Sequence, residues 1–206
     1  MVGFEHEADA LRFLDEMRAR FEAFSLSLHP EKTRLIEFGR HAADRRRRQG
    51  QGKPETFTVL GLTFICGKTR AGKFLLKRKT RSDRMQAKLS EIEEELRRRM
   101  HKPIPEQGKW LKQVISGFFN YHAVPTNFSA LAAFRSHIID LWRRALQRRS
   151  QKDHTTWDRI RKPADEWLPK PRTLHPWPQQ RFAVKHPRWE PYAGIPPVRI
   201  CAGGAQ

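Results

Sequence analysis

The hydrophobic rhythm of this chain changes near Ser82, and that change fixes the fold class. Ahead of it stand one amphipathic stretch and a set of short alternating runs. Beyond it, apolar residues recur every three or four positions through three successive segments. His6 to Phe24 has helical spacing, with Ala8, Leu11, Leu14, Met17, Phe21 and Phe24 on one stripe. Ser25 to Phe38 alternates and predicts two short strands around the turn His29-Pro30-Glu31-Lys32. Gly39 to Pro54, with its Arg45–Arg48 run and Gln49-Gly50-Gln51-Gly52, reads as a loop. Phe57 to Cys66 predicts a strand, Gly67 to Gly72 a turn and Lys73 to Lys79 a returning strand.

The later segments are helical. Met85, Leu89, Ile92 and Leu96 mark a helix that stops before Pro103 and Pro105. Trp110, Leu111, Val114, Ile115, Phe118 and Phe119 mark a second. Leu131, Phe134, Ile138, Leu141, Trp142 and Ala145 mark a third, and short connections make the three a small bundle. Trp157, Ile160 and Trp167 form a weaker helical patch interrupted by Pro163, and the tail from Pro169 is rich in Pro, Trp and Arg. The fold class is therefore α+β: a helix with short strands and a hairpin over residues 1–80, an all-helical region over 81–150, and a basic extension over 151–206.

Charge separates these parts. The net charge is +19 over 206 residues, yet residues 1–39 hold five Lys/Arg against eight Asp/Glu, and the remainder holds 36 against 14. A near-neutral head on a strongly basic body suits a scaffold joined to a polyanion-binding surface. Basic clusters fall at element ends: Lys77-Arg78-Lys79 with Arg81, Arg84 and Lys88, then Arg97–Arg99, then Arg143–Arg149. A solvated face accounts for one such cluster, but three in succession on elements that pack together point to nucleic acid. Of the interleaved aromatics, most fit the bundle core, and Tyr121 is the one open for stacking on a base or sugar.

Other chemistries lack their residues. Gly67-Lys68-Thr69 invites a phosphate-loop reading, but the glycine required at position 62 is Leu62, and a strand follows instead of a helix. Nine histidines and two distant cysteines, Cys66 and Cys201, show no metal-ligand spacing, and no two aspartates are adjacent. No nucleophile elbow is present, and Ser116-Gly117 lies inside a helical segment. The acidic N-terminus is unlike a targeting peptide, and no stretch approaches the roughly 18 apolar residues of a membrane span. The expected location is cytoplasmic, with no membrane partner.

The segment Leu26-Ser27-Leu28-His29-Pro30-Glu31-Lys32-Thr33-Arg34-Leu35-Ile36-Glu37-Phe38-Gly39 resembles the palm region that follows the active-site strand of group II intron reverse transcriptases. Phe57-Thr58-Val59-Leu60-Gly61-Leu62-Thr63-Phe64 resembles their primer-grip element. Gly67-Lys68-Thr69-Arg70 and Lys77-Arg78-Lys79-Thr80 are similar to its continuation toward the thumb. Trp110-Leu111 through Gly117-Phe118-Phe119-Asn120-Tyr121, and Phe134 to Arg149 with Leu141-Trp142-Arg143-Arg144, resemble the maturase-specific thumb helices.

The resemblance implies a C-terminal part of a reverse transcriptase/maturase: the end of the palm over residues 1–80, the thumb over 81–150, and a tail. In that family a Tyr-Ala-Asp-Asp turn, whose aspartates hold catalytic magnesium, lies just upstream of the segment matched by Val2-Gly3-Phe4. This chain starts after it, so it is expected to need no cofactor and to carry out no polymerase chemistry alone. Lys32 matches a palm lysine that lies near the incoming nucleotide in related polymerases. The implied partners are group II intron RNA, an RNA/DNA primer–template duplex, and a polypeptide supplying the missing fingers and palm. The expected phosphate contacts are Lys77, Arg78, Lys79, Arg84, Arg143, Arg144 and Arg148, with Lys68, Arg70 and Lys73 as further ones. Two alternatives stand beside this reading: one part of a split or mis-started polymerase, and a stand-alone nucleic-acid-binding module.

Overall fold

The computed structural model describes residues 2–30, 32–149, 156–177 and 180. Among them are six helices: α1 (Glu7–Ala23), α2 (Ala42–Arg48), α3 (Ser82–Arg98), α4 (Ile104–His122), α5 (Phe128–Gln147) and α6 (Trp157–Trp167). They accompany a three-stranded antiparallel sheet of order β1 (Phe57–Val59), β2 (Leu62–Lys68) and β3 (Phe74–Thr80). The fold is mixed α+β. The chain divides into two compact units, with the division inside the β2–β3 hairpin. One unit holds Met1–Phe57 with Ile65–Leu76. The other holds Thr58–Phe64 with the described residues from Lys77 on.

In the first unit α1 forms where the spacing predicts a helix, but of the predicted stripe Leu14, Met17 and Phe21 are half-buried while Ala8, Leu11 and Phe24 are exposed; the buried residue is Ala10, off that stripe, and Phe13 is exposed. The two strands expected around His29 do not form. Lys32 and Thr33 donate their amides to His29 O at 3.2 and 3.0 Å, and the residues on either side are in no strand among the described residues. Alternation alone supplies a strand's side-chain pattern; a strand also needs a neighbour to take its backbone hydrogen bonds.

The expected loop 39–54 instead contains α2. Its Ala and Arg residues are good helix formers, and Gly50 ends it at φ +68°. Gln51 N–H bonds to Arg46 O and Gly50 N–H to Arg47 O, the paired closure of a glycine-terminated helix. Gly39 is clasped to β2, its amide donating to Cys66 Sγ at 3.4 Å while that thiol faces Gly39 O at 3.6 Å.

The expected single strand Phe57–Cys66 is two strands. Leu60 and Gly61 have φ of +51° and +74°, the paired positive angles of a two-residue hairpin turn whose twist suits the flanking strands. At the other hairpin, Gly72 N–H bonds to Thr69 O and Thr69 N–H to Lys73 O, with Gly72 at φ +76°. Arg81 N–H bonds to Gly61 O, so β2 and β3 keep one register from end to end.

The second unit holds the main core. Ile92 and Leu96 of α3, Leu111, Ile115 and Phe119 of α4, and Leu131, Phe134, Ile138 and Trp142 of α5 are all buried together. The expected three-helix bundle gains a fourth member: Ile160, Ala164 and Leu168 join this core, so α6 packs on α4 and α5 despite Pro163. The fit of α6 depends on Gly108, because a Cβ there would lie 2.5 Å from the Trp167 ring.

Two buried amides tie the unit together. Gln107 donates to the carbonyls of Arg99 (2.6 Å), Met100 (3.3 Å) and Lys102 (3.4 Å), closing the C-terminal end of α3, and accepts from Trp142 Nε1 at 2.7 Å. Asn127 accepts from Thr80 N–H at 2.9 Å and donates to Thr80 Oγ1 and His122 O. With Thr126 Oγ1, which accepts from Arg78 N–H at 2.7 Å and donates to Arg78 O, it completes the outer edge of β3 as a neighbouring strand would. The tail residues 178, 179 and 181–206 lie outside the described residues.

Candidate nucleic-acid interface

From Thr56 to Ser82 the chain has no acidic residue and seven basic ones, all on or beside the hairpin. Strand alternation sorts them. On β3, Lys77 and Lys79 point to the exposed face, and Arg78 and Thr80 to the opposite one. Side chains two residues apart on a strand lie about 7 Å from each other, a spacing that lets Lys77 and Lys79 meet separate phosphates. Lys68, Arg70 and Lys73 are exposed around the β2–β3 turn, and Arg84 is exposed in the first turn of α3. None of these six makes an ion pair among the described residues. Arg81 does, with Asp83, whose carboxyl is held below the usual carboxylate range chiefly by the hydrogen bond from Arg81.

The helices behave differently. Arg97, Arg98 and Arg99 each face a glutamate one turn back, Glu93, Glu94 and Glu95 respectively. Arg143 reaches Asp140 at 2.8 Å and Gln147 at 3.1 Å, and lies over the Trp157 ring at 4.8 Å. Arg144 takes the other oxygen of Asp140 at 3.0 Å. Arg143 is thus largely engaged in holding α5 to α6, Arg144 is half engaged, and Arg148 is exposed and makes no ion pair among the described residues. Arg97, Arg144 and Arg148 line one shallow recess between α3 and α5. Arg78 is half-buried; desolvation lowers its pKa from the ordinary arginine value, and its buried Nε has no hydrogen-bond partner among the described residues. Its backbone, not its charge, carries its visible interactions.

Tyr121 combines an exposed ring with an engaged hydroxyl, which donates to Leu60 O at 2.7 Å. The ring therefore stands beside the β1–β2 turn, whose Leu60 is 77% exposed. Behind it, His122 stacks on Phe118 at 4.1 Å, and Phe118 on Phe134 at 3.8 Å. Burial lowers the His122 pKa from the usual imidazole value.

The structure also exposes cations that the phosphate-contact expectation omits: Arg40, Arg47 and Arg48, beside and within α2. The arginine run signals them, but only a helix shows which members face outward. Among the described residues no three His, Cys, Asp or Glu side chains converge as a metal site. No described helix is long and apolar enough to cross a membrane. No protein-family model matches the chain, and no curated protein or solved structure is significantly similar to it.

Proposed function

We propose that this chain is an RNA-binding C-terminal part of a group II intron reverse transcriptase/maturase, gripping intron RNA and a primer–template duplex without performing polymerase chemistry itself. The observation that carries this reading is electrostatic. Arg97, Arg98, Arg99, Arg143 and Arg144 on the bundle have carboxylate partners, whereas Lys68, Arg70, Lys73, Lys77 and Lys79 on the hairpin, and Arg84 at the start of α3, have none among the described residues. Unpaired cations on one hairpin repel one another, a cost that an RNA backbone removes on binding. The ordered resemblance from Leu26 to Arg149 supplies the partner. Binding in this reading is phosphate neutralisation plus recognition of A-form shape, with little base readout and no metal-dependent step.

The test is a salt titration of binding to a group II intron RNA and to a control RNA duplex. The expected result is tighter binding of the intron RNA. In Lys77→Gln/Lys79→Gln, the slope of log K against log salt should fall by roughly 0.9 per lost contact, a figure taken from duplex DNA. Equal affinities with equal slopes for the two RNAs would remove the maturase assignment.

The exposed apolar side chains of Leu11 and Phe13 in α1 and of Phe24 just after it favour a second reading in which a further polypeptide covers them. That polypeptide would carry fingers, palm and the catalytic aspartates. Primer extension is then absent with this chain alone and arises when the partner is added; extension by the purified chain alone refutes both readings.

A further inference from the structure

The arginine run of α2 divides into two pairs with different work. Arg45 Nε lies 3.2 Å from Glu37, and Arg46 lies 3.8 Å from Glu55 and donates to Gly52 O at 3.4 Å. Glu55 also meets Arg34 at 3.3 Å. These contacts fasten the helix to the segments on either side of it, and Ala42 is buried beneath. Arg47 and Arg48 are exposed and make no ion pair among the described residues; Arg40, just before the helix, is the same.

The ordinary task of arginines at a helix C-terminus is to satisfy its last carbonyls. Here backbone amides already do so: Gln49 N–H bonds to Arg45 O, Gly50 N–H to Arg47 O and Gln51 N–H to Arg46 O. The Arg47 and Arg48 guanidiniums are therefore needed neither for capping nor for packing. They are held outward by neighbours that are themselves pinned. The Gly39–Cys66 clasp ties the entry to α2 to β2, two residues before Lys68, so the helix and the hairpin cations of this unit are fixed to one strand.

We infer that Arg40, Arg47 and Arg48, on and just before α2, form a second phosphate-binding surface for the same RNA. Arg45 and Arg46 are its positioning residues. Guanidinium suits the role because its planar fork binds a phosphate through two hydrogen bonds, where an ammonium acts as a point charge. This inference rests on the RNA-binding reading and adds a surface which that reading does not use.

The experiment measures binding of a labelled group II intron RNA by the full chain at a series of salt concentrations. Arg47→Gln/Arg48→Gln should lower the log–log salt slope by about 1.8, at roughly 0.9 per contact. Arg47→Lys/Arg48→Lys should keep the slope and lose affinity, because charge is retained and the fork is lost. Combining Arg47→Gln/Arg48→Gln with Lys77→Gln/Lys79→Gln should give the sum of the two slope changes.

An unchanged slope for the α2 variant beside a lowered one for the hairpin variant overturns this inference and leaves the proposed function standing. Unchanged slopes for both sink both. A lowered slope for α2 alone supports the inference and moves the RNA off the hairpin. Stronger binding to phosphatidylserine vesicles than to RNA also overturns it. Circular dichroism of each variant, expected to match the parent because these side chains are exposed, separates binding from folding.

Discussion

Gln107→Leu removes a buried amide while keeping nearly the same volume, and the structure sets the size of its effect. Two short hydrogen bonds disappear, Gln107 Nε2 to Arg99 O at 2.6 Å and Trp142 Nε1 to Gln107 Oε1 at 2.7 Å. Trp142 is completely buried, so its indole N–H has no route to water. Each stranded buried group costs about 1–3 kcal/mol, which puts the loss at about 4 kcal/mol for the pair. In a chain of this size, at roughly 2–4 °C per kcal/mol, the helical transition should drop by roughly 8–16 °C.

The assay is urea and thermal unfolding followed by far-ultraviolet circular dichroism. Trp142→Phe and the double variant complete a cycle. The double variant should lose less than the sum of the singles by about 1–2 kcal/mol, because the indole donor and its acceptor leave together. A Gln107→Leu loss below about 1 kcal/mol, or additive singles, would refute the claim that this amide joins the end of α3 to the core of α5.

Two further outcomes follow from packing and titration. Gly108→Ala gains about 1 kcal/mol of helix propensity but places its methyl inside the Trp167 ring. Overpacking of about 1–3 kcal/mol should outweigh that gain and loosen α6, seen as faster tryptic cleavage at Arg159 and Arg161; unchanged digestion would contradict it. His122 has a folded pKa below its unfolded value of 6.5, so the unfolded chain takes the proton first. Its contribution to stability is complete above that value and is lost as pH falls through the folded pKa. His122→Phe should keep the stacking on Phe118 and flatten the decline of stability below about pH 6.5; an identical pH profile would contradict the assignment.

Much of the architecture could be read along the chain because it depends on local pattern. The stripe from Ala8 to Phe24, the apolar spacing from Met85 to Ala145, and the breakers at Pro103, Pro105 and Pro125 place α1, α3, α4 and α5 close to where they lie. The uneven charge and the basic hairpin were equally visible, since composition needs no coordinates. Three features depart from the local pattern, each for a separate physical reason. Ser25 to Phe38 alternates like a strand but has no strand partner for its backbone among the described residues. Leu60-Gly61 hides a turn inside an apolar run, because Leu disguises a position with positive φ. The α2 segment looked like a loop because glycines crowd its end.

What sequence by itself determined was the class of elements, their order and the abundance of cations. Only the tertiary structure decided which cations are free, because an ion pair depends on distance between side chains and not on their type. Arg143 and Arg148 look alike in the sequence, yet one is fixed by Asp140, Gln147 and Trp157 while the other faces solvent. Tyr121 could be picked out as an aromatic, but its hold on Leu60 O across 61 positions exists only once the β1–β2 turn and α4 have packed together.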